Sequence, residues 1–180
     1  MRWRRAPEPT AGLARCGRNS RIEAPALGVI NPWAIALGDD VEIRSHAFLE
    51  AIGRPGSVLL EIGDGTYIGF MARITAVGGV SIGRSVLIAD RVYISDTGHA
   101  YEDPDVPIKD QPLRTGRRVR IDDGAWLGVG CVVVGNVHIG QNAVVAAGSV
   151  VRGDVEARTV VAGDPARVVR RYVDGGWRSG

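Results

Sequence analysis

Residues 121–155 read IDDGAWLGVGCVVVGNVHIGQNAVVAAGSVVRGDV, and their spacing decides the fold. Aliphatic side chains stand at Ile121, Leu127, Val133, Ile139, Val145 and Val151, one at every sixth place. Four places after each comes a small or β-branched residue: Ala125, Cys131, Val137, Ala143, Ser149 and Val155. Glycine directly follows the aliphatic residue in Leu127-Gly128 and Ile139-Gly140. Ile, Leu and Val make up 47 of the 180 residues, so six such hits in succession have a chance of roughly 3 in 10,000 per starting point. Neither the helical period nor plain alternation produces this spacing.

Upstream the same lattice runs through Ile62, Ile68, Ile74 and then Ile82, Ile88, Ile94, with a fainter echo at Leu37-Gly38 and Ile43. The spacing fits a short strand, a sharp corner and another short strand. Three such sides make a coil of about 18 residues, and successive coils stack as parallel strands about 4.8 Å apart. The aliphatic residue points inward, and the offset position near the corner takes only a small side chain. Cys131 occupies one of these offset positions and reads as core rather than as a nucleophile. Gly135-Asn136 and Gln141-Asn142 carry the turn chemistry a corner needs. Composition agrees: 25 glycines accompany only two phenylalanines and two methionines, so the apolar content is mostly Val, Ile, Leu and Ala. The expectation is an all-β parallel β-helix.

Charge and cysteine usage narrow the classes of function. A formal net charge of +2 makes no case for nucleic acid as a partner. Six arginines (Arg2, Arg4, Arg5, Arg15, Arg18 and Arg21) face only Glu8 near the start, which reads as a solvated basic arm over residues 1–29. The two cysteines, Cys16 and Cys131, are too few for a disulfide framework and suit a reducing cytoplasm. No run of apolar residues is long enough to span a membrane, and no apolar stretch follows the basic N-terminus as in a secretory signal.

The lattice breaks at His99 and resumes near Val119, across AYEDPDVPIKDQPLRTGRR, residues 100–118. A long irregular loop inside a compact repeat is usually functional. His99 opens this loop at the end of ISDTGH. A hydroxyl is a poor nucleophile and needs a base near neutrality, a task that suits imidazole. His46 and His138 lack that context and read as exposed structural positions. Three scattered histidines with no close pair give no ligand set of the zinc-dependent carbonic anhydrase kind, so no metal is expected.

The stretches IGDGTYIGFMARI (62–74), VSIGRSVLIADRVYISDTGH (80–99) and residues 120–169 resemble the hexapeptide-repeat acyltransferases. That resemblance implies a left-handed parallel β-helix, here over residues 30–166 with a loop at 99–118 and a C-terminal tail at 167–180. It also implies a homotrimer with active sites between subunits, and acetyl-CoA as acyl donor. Thr97-Gly98-His99 is similar to the motif of sugar acetyltransferases, in which the histidine acts as general base. DTGHAYEDPDVPIKDQP (96–112) is similar to polysaccharide O-acetyltransferases, which points to a sugar or cell-surface polysaccharide hydroxyl as acceptor. Tyr101 and Asp103 are candidates for reading that acceptor. An N-acyltransferase acting on an amino-sugar or antibiotic, and a non-catalytic trimeric scaffold, are the alternatives.

By the same resemblance Trp126 lies along the pantetheine arm, Ala147 offers a backbone contact beside it, and Arg167 and Arg170 meet CoA phosphates. A backbone N–H within Trp126–Gly130 is the candidate oxyanion donor. Asp96, Glu102 or a backbone carbonyl is expected to orient the imidazole. Two departures stand out. The galactoside-type enzymes carry an acceptor-binding asparagine in the coil before the histidine, and Tyr67–Arg73 holds none. The lysine common after the AGSVV motif is replaced by Gly153, with Arg152 beside it.

Overall fold

The computed structural model describes residues 9–180, so Arg2, Arg4, Arg5 and Glu8 of the expected arm lie outside the described residues. The chain winds into a three-sided parallel β-helix. Its first face has six strands, from Arg15–Cys16 through Ile35–Leu37, Leu60–Ile62, Val80–Ile82 and Val119–Ile121 to Val137–Ile139. The second face runs from Arg21–Ile22 through Leu87–Ile88 and Trp126–Leu127 to Thr159–Ala162, and the third from Gly28–Ile30 through Tyr93–Ser95 to Val150–Val151. Among the described residues no helix is long and apolar enough to cross a membrane.

The six-residue lattice maps directly onto the stacking. Ile62 lies opposite Ile82, Ile82 opposite Ile121 and Ile121 opposite Ile139 on the first face. Ile68, Ile88, Leu127 and Val145 form the matching column on the second, and Ile74, Ile94, Val133 and Val151 on the third. Every one of these side chains is buried, as are the offset residues Ala125, Cys131, Val137, Ala143, Ser149 and Val155. Packing a column of aliphatic groups at van der Waals distance supplies the hydrophobic and dispersion energy of the fold.

Corners obey a backbone rule that explains their residues. Between the first and second faces, Asn19, Asp40, Gly65, Ser85, Gly124, Asn142 and Arg158 all sit at positive φ, from 53° to 70°. Asn, Asp and Gly reach that region at little cost, whereas Ser85 and Arg158 are held there by the coils on either side. His46, at φ 61°, belongs to the next corner, where its ring meets Phe70 at a centroid distance of 5.1 Å. It is half-buried rather than exposed. His138 projects from the first face, its Nε2 2.8 Å from Asp122 Oδ2.

Both ends differ from the expected boundaries. Residues 15–30 form the first coil instead of an arm: Arg15 pairs with Ala36, Arg21 with Glu42 and Gly28 with Phe48. The physical reason is that Ile22 is buried against the next coil, while Arg18 and Arg21 find Asp39 and Glu42 there, each at 2.7 Å. At the other end, Arg167–Val173 and Gly176–Ser179 form an antiparallel hairpin that extends the second face, so the expected tail is structured.

Burial at an inward corner pushes the Cys131 thiol up to about 12. A thiolate is the reactive form, so Cys131 should resist alkylation in the native protein at neutral pH and react only after unfolding. Mass spectrometry after brief treatment with iodoacetamide, with and without denaturant, checks this. Rapid labelling of Cys131 in the folded chain would contradict the packing.

Candidate active site

The long loop leaves the helix at the corner between the third and first faces, directly after Tyr93–Ser95. Its root is Asp96, which is buried and accepts hydrogen bonds from the amides of Val77 (2.9 Å), Gly78 (2.8 Å) and Gly79 (2.5 Å) in the coil below. Three N–H donors satisfy the carboxylate, so Asp96 anchors the corner and does not orient the imidazole.

From there the two limbs of the loop close on each other. Thr97 Oγ1 donates to the Arg114 carbonyl at 2.7 Å, Arg114 N donates to the Gly98 carbonyl at 2.7 Å, and Ala100 N donates to the Pro112 carbonyl at 2.9 Å. His99 and Leu113 form an antiparallel bridge within this zipper. Farther out, the buried Gln111 side chain donates to the carbonyls of Asp103 and Val106, both at 2.8 Å, and fixes the loop tip. The Asp103 carboxylate folds back onto the Asp105 amide at 3.0 Å, so of the two residues expected to read an acceptor only Tyr101 lines the cleft described next.

His99 therefore stands on a braced hairpin at the mouth of a cleft of about 570 Å³. Tyr101, Arg114, Arg117, Asn136 and Arg152 share the walls, with Val134 and Gly135 as floor. The ring of His99 is exposed and makes no hydrogen bond among the described residues, which leaves both nitrogens open to a substrate. Arg114 braces its backbone instead, donating from Nε to the His99 carbonyl at 3.3 Å. The same guanidinium pairs with Glu102 and stacks over the Tyr101 ring at 4.8 Å. The Tyr101 amide, helped by the Arg114 charge, holds Glu102 below the usual carboxylate range, so it stays ionised and committed to Arg114. Glu102 is thus not an orienting partner of the imidazole either.

The other expected residues lie elsewhere on the prism. Trp126 projects from the second face with 48% of its surface exposed. Register aligns it with Tyr67, Leu87, Val144 and Val160, and Arg170 continues the row across the antiparallel junction. Ala147 sits in the corner between the second and third faces, its amide packed so closely under Gly128 that a Cβ there would come within 2.6 Å of it. Arg167 lines a second cleft of about 450 Å³ together with Arg152, Pro165 and Val168. Within Trp126–Gly130, the amides of Trp126, Gly128 and Gly130 are already engaged by the carbonyls of Ala143, Val145 and Asp90. One chain therefore joins His99 to Arg152, but it keeps Trp126 and Arg170 on a different face.

Sequence reasoning missed the arginine walls of the cleft. The signal was present in the stacking: Ser95 lies opposite Val134 and Val133 opposite Val151, so residues just after those strands share one corner. Within Tyr67–Arg73, Gly69 has no room for a side chain, because a Cβ would approach Asp90 Oδ1 to 2.5 Å while that oxygen caps the Phe70 amide at 2.9 Å.

Comparison with known proteins agrees with this architecture. Residues 118–153 match the family model described as bacterial transferase hexapeptide (six repeats). The Escherichia coli (strain K12) protein WbbJ, named for O-acetyl transfer in lipopolysaccharide biosynthesis, is 31% identical over 162 residues, covering 86% of this chain and 81% of its own. The galactoside O-acetyltransferase of the same organism is 34% identical over 119 residues, covering 64% of this chain and 55% of its own length. Among solved structures, the N-acyltransferase AntD of Bacillus cereus, in complex with dTDP and 3-hydroxybutyryl-CoA, superposes with a TM-score of 0.75 at 22% identity, over 88% of this chain and 82% of that one. The chain belongs to the hexapeptide-repeat acyltransferases. It is an enzyme of acyl transfer.

Removing the Asp96 carboxylate leaves three amides of the neighbouring coil without partners. Asp96→Ala should cost about 3 kcal/mol or more of stability, read as a lowered midpoint in urea unfolding. An unchanged midpoint would show that the anchor is dispensable.

Proposed function

We propose that this enzyme transfers an acetyl group from acetyl-CoA to a hydroxyl of a sugar or cell-surface polysaccharide, with His99 as general base. The observation that carries the reading is the placement of His99: an unbonded imidazole on a braced hairpin, facing a cleft large enough for a sugar ring. The neutral ring takes the proton of the acceptor hydroxyl as its oxygen attacks the thioester carbonyl. The tetrahedral intermediate then collapses, the carbon–sulfur bond breaks, and the imidazolium returns the proton to the CoA thiolate. No covalent acyl-enzyme is needed, and the buried Cys131 is out of reach.

Acetyl-CoA is assigned to the second face. Trp126 lies along the pantetheine arm with the Ala147 backbone beside it, and Arg167 and Arg170 take the phosphates, which suit guanidinium forks. The row from Trp126 through Val144 and Val160 to Arg170 spans three strand spacings, roughly 14 Å, a length suited to an extended donor. Because His99 opens onto a different edge, the complete site requires a neighbouring copy. A homotrimer, with the apolar row of one subunit facing the cleft of the next, meets that requirement and covers Leu87 and Trp126. A second reading, transfer to the amine of an amino-sugar, draws support from the likeness to an N-acyltransferase fold. The same base serves an amine, and CoA release with paired hydroxyl and amino sugars separates the two.

His99→Ala should fold, assemble and bind acetyl-CoA while kcat falls about 10²–10⁴-fold. His46→Ala and His138→Ala should keep near-parental rates. Turnover by His99→Ala at the parental rate would overturn the mechanism.

The shared site makes a further, sharper expectation. Arg170→Ala should raise KM for acetyl-CoA by roughly 10-fold or more, the loss of a charged hydrogen bond, with a smaller effect on kcat. Refolding a mixture of His99→Ala and Arg170→Ala chains should restore activity, since in a ring of three about a quarter of the sites would draw both intact residues from different subunits. Mixed chains that stay as impaired as the separate variants, or an active monomer by light scattering, would refute the assembly.

A further inference from the structure

The cleft that holds His99 is lined by three arginines, Arg114, Arg117 and Arg152, and by no carboxylate. Their charges are unequally compensated. Arg114 is held by Glu102 from outside the cleft and by the Tyr101 ring. Arg152 reaches Asp164 only at 4.0 Å, the outer limit of an ion pair, and its side chain is 67% exposed. Arg117 forms no ion pair among the described residues. Two cationic forks thus face the space where the acceptor must sit to reach His99.

Their scaffold is prepared. Arg117 is seated with its carbonyl against Gly78, whose amide is in turn fixed by Asp96 at 2.8 Å. Asn136 Oδ1 accepts from the Arg118 amide at 3.1 Å, which leaves its NH2 as a further donor beside the arginines. On this wall Arg117 and Arg152 offer donors only, and Asn136 spends its acceptor on the Arg118 amide. A neutral sugar offers hydroxyls that water can replace at little loss, whereas an anionic oxygen gains charge-assisted, bidentate bonds from a guanidinium. A cleft of one sign also draws an anion in by steering.

We infer that the acceptor bears an anionic group, a carboxylate or a phosphate, and that Arg117 recognises it together with Arg152 and Asn136. This rests on the reading of His99 as the base of the same cleft. Arg152 also borders the cleft beside Arg167, so its loss touches both substrates. Arg117 lines the His99 cleft and not the one beside Arg167, so it separates acceptor from donor.

The test compares glucose, glucuronate and glucose 1-phosphate as acceptors, following CoA release from acetyl-CoA by the full-length enzyme. One or both anionic sugars should exceed glucose about 10- to 100-fold in kcat/KM, with the advantage shrinking as salt is raised. The better of the two names the anion. Arg117→Ala should erase that advantage while leaving KM for acetyl-CoA unchanged, and Arg117→Lys, which keeps the charge and the fold, should recover part of it. Equal or better use of glucose would overturn the inference, as would an Arg117→Ala variant whose defect lies in KM for acetyl-CoA. Should none of the three sugars turn over, calorimetric titration decides: binding of either anion that disappears in Arg117→Ala supports the inference, and no binding of either overturns it. The outcome is separable from that for the base. A His99→Ala enzyme at parental rate sinks the mechanism and leaves the anion preference standing.

Discussion

The interior of the prism is filled by stacked columns of aliphatic side chains, and the rest of the molecule depends on keeping those columns in register. Ile121 rests on Ile82 and Ile139 rests on Ile121, as Leu127 does on Ile88. A slip of one residue would turn every inward group outward, so the columns fix the register of all three faces at once. Fixed register then dictates the corners, where seven residues in a row accept positive φ between the first and second faces. It also leaves outward positions unconstrained, so each face can be given its own chemistry: Glu61, Ser81 and Arg120 on the first, Leu87 and Trp126 on the second.

The same register explains how the chain tolerates a long excursion without losing its core. Ile82 pairs with Ile121 as though the intervening loop were absent. The excursion leaves and re-enters at one corner, and Asp96 locks that corner to the coil below through the amides of residues 77–79. What projects is a hairpin with its own internal bonds and not a slack loop, so His99 inherits the rigidity of the solenoid. The cleft beside it forms because coils stacked above the exit place Asn136 and Arg152 over the same corner.

Much of this was legible in the sequence, and the limits are physical. The lattice from Ile62 to Val155 announced the coils because an inward aliphatic residue recurs at every sixth place. The first coil hid because Ile22 and Val29 are seven apart and off the lattice, while its arginines suggested solvent although partners waited in the next coil. The terminal hairpin had a signal that went unused: Asp174-Gly175, both at positive φ, are turn residues suited to a tight antiparallel reversal. His99 was legible from the break it opens. Its arginine neighbours were not, because they converge only when separate coils are laid over one another. Asp96 and Glu102 looked like orienting groups by proximity in sequence, and their hydrogen bonds commit them elsewhere.

That terminal hairpin has a consequence for solubility and shape. A solenoid of parallel strands ends in open edges, and an open edge is a template for another chain. Across the second face the hairpin lays two antiparallel strands over the last coil and reverses the strand direction. It also sets Arg171 directly opposite Arg178, with Arg170 one residue away. Like charges side by side weaken the hairpin slightly, but they make the end of the rod repel its own kind. On this face the last strand therefore runs antiparallel and carries charge, two features that oppose edge-to-edge pairing.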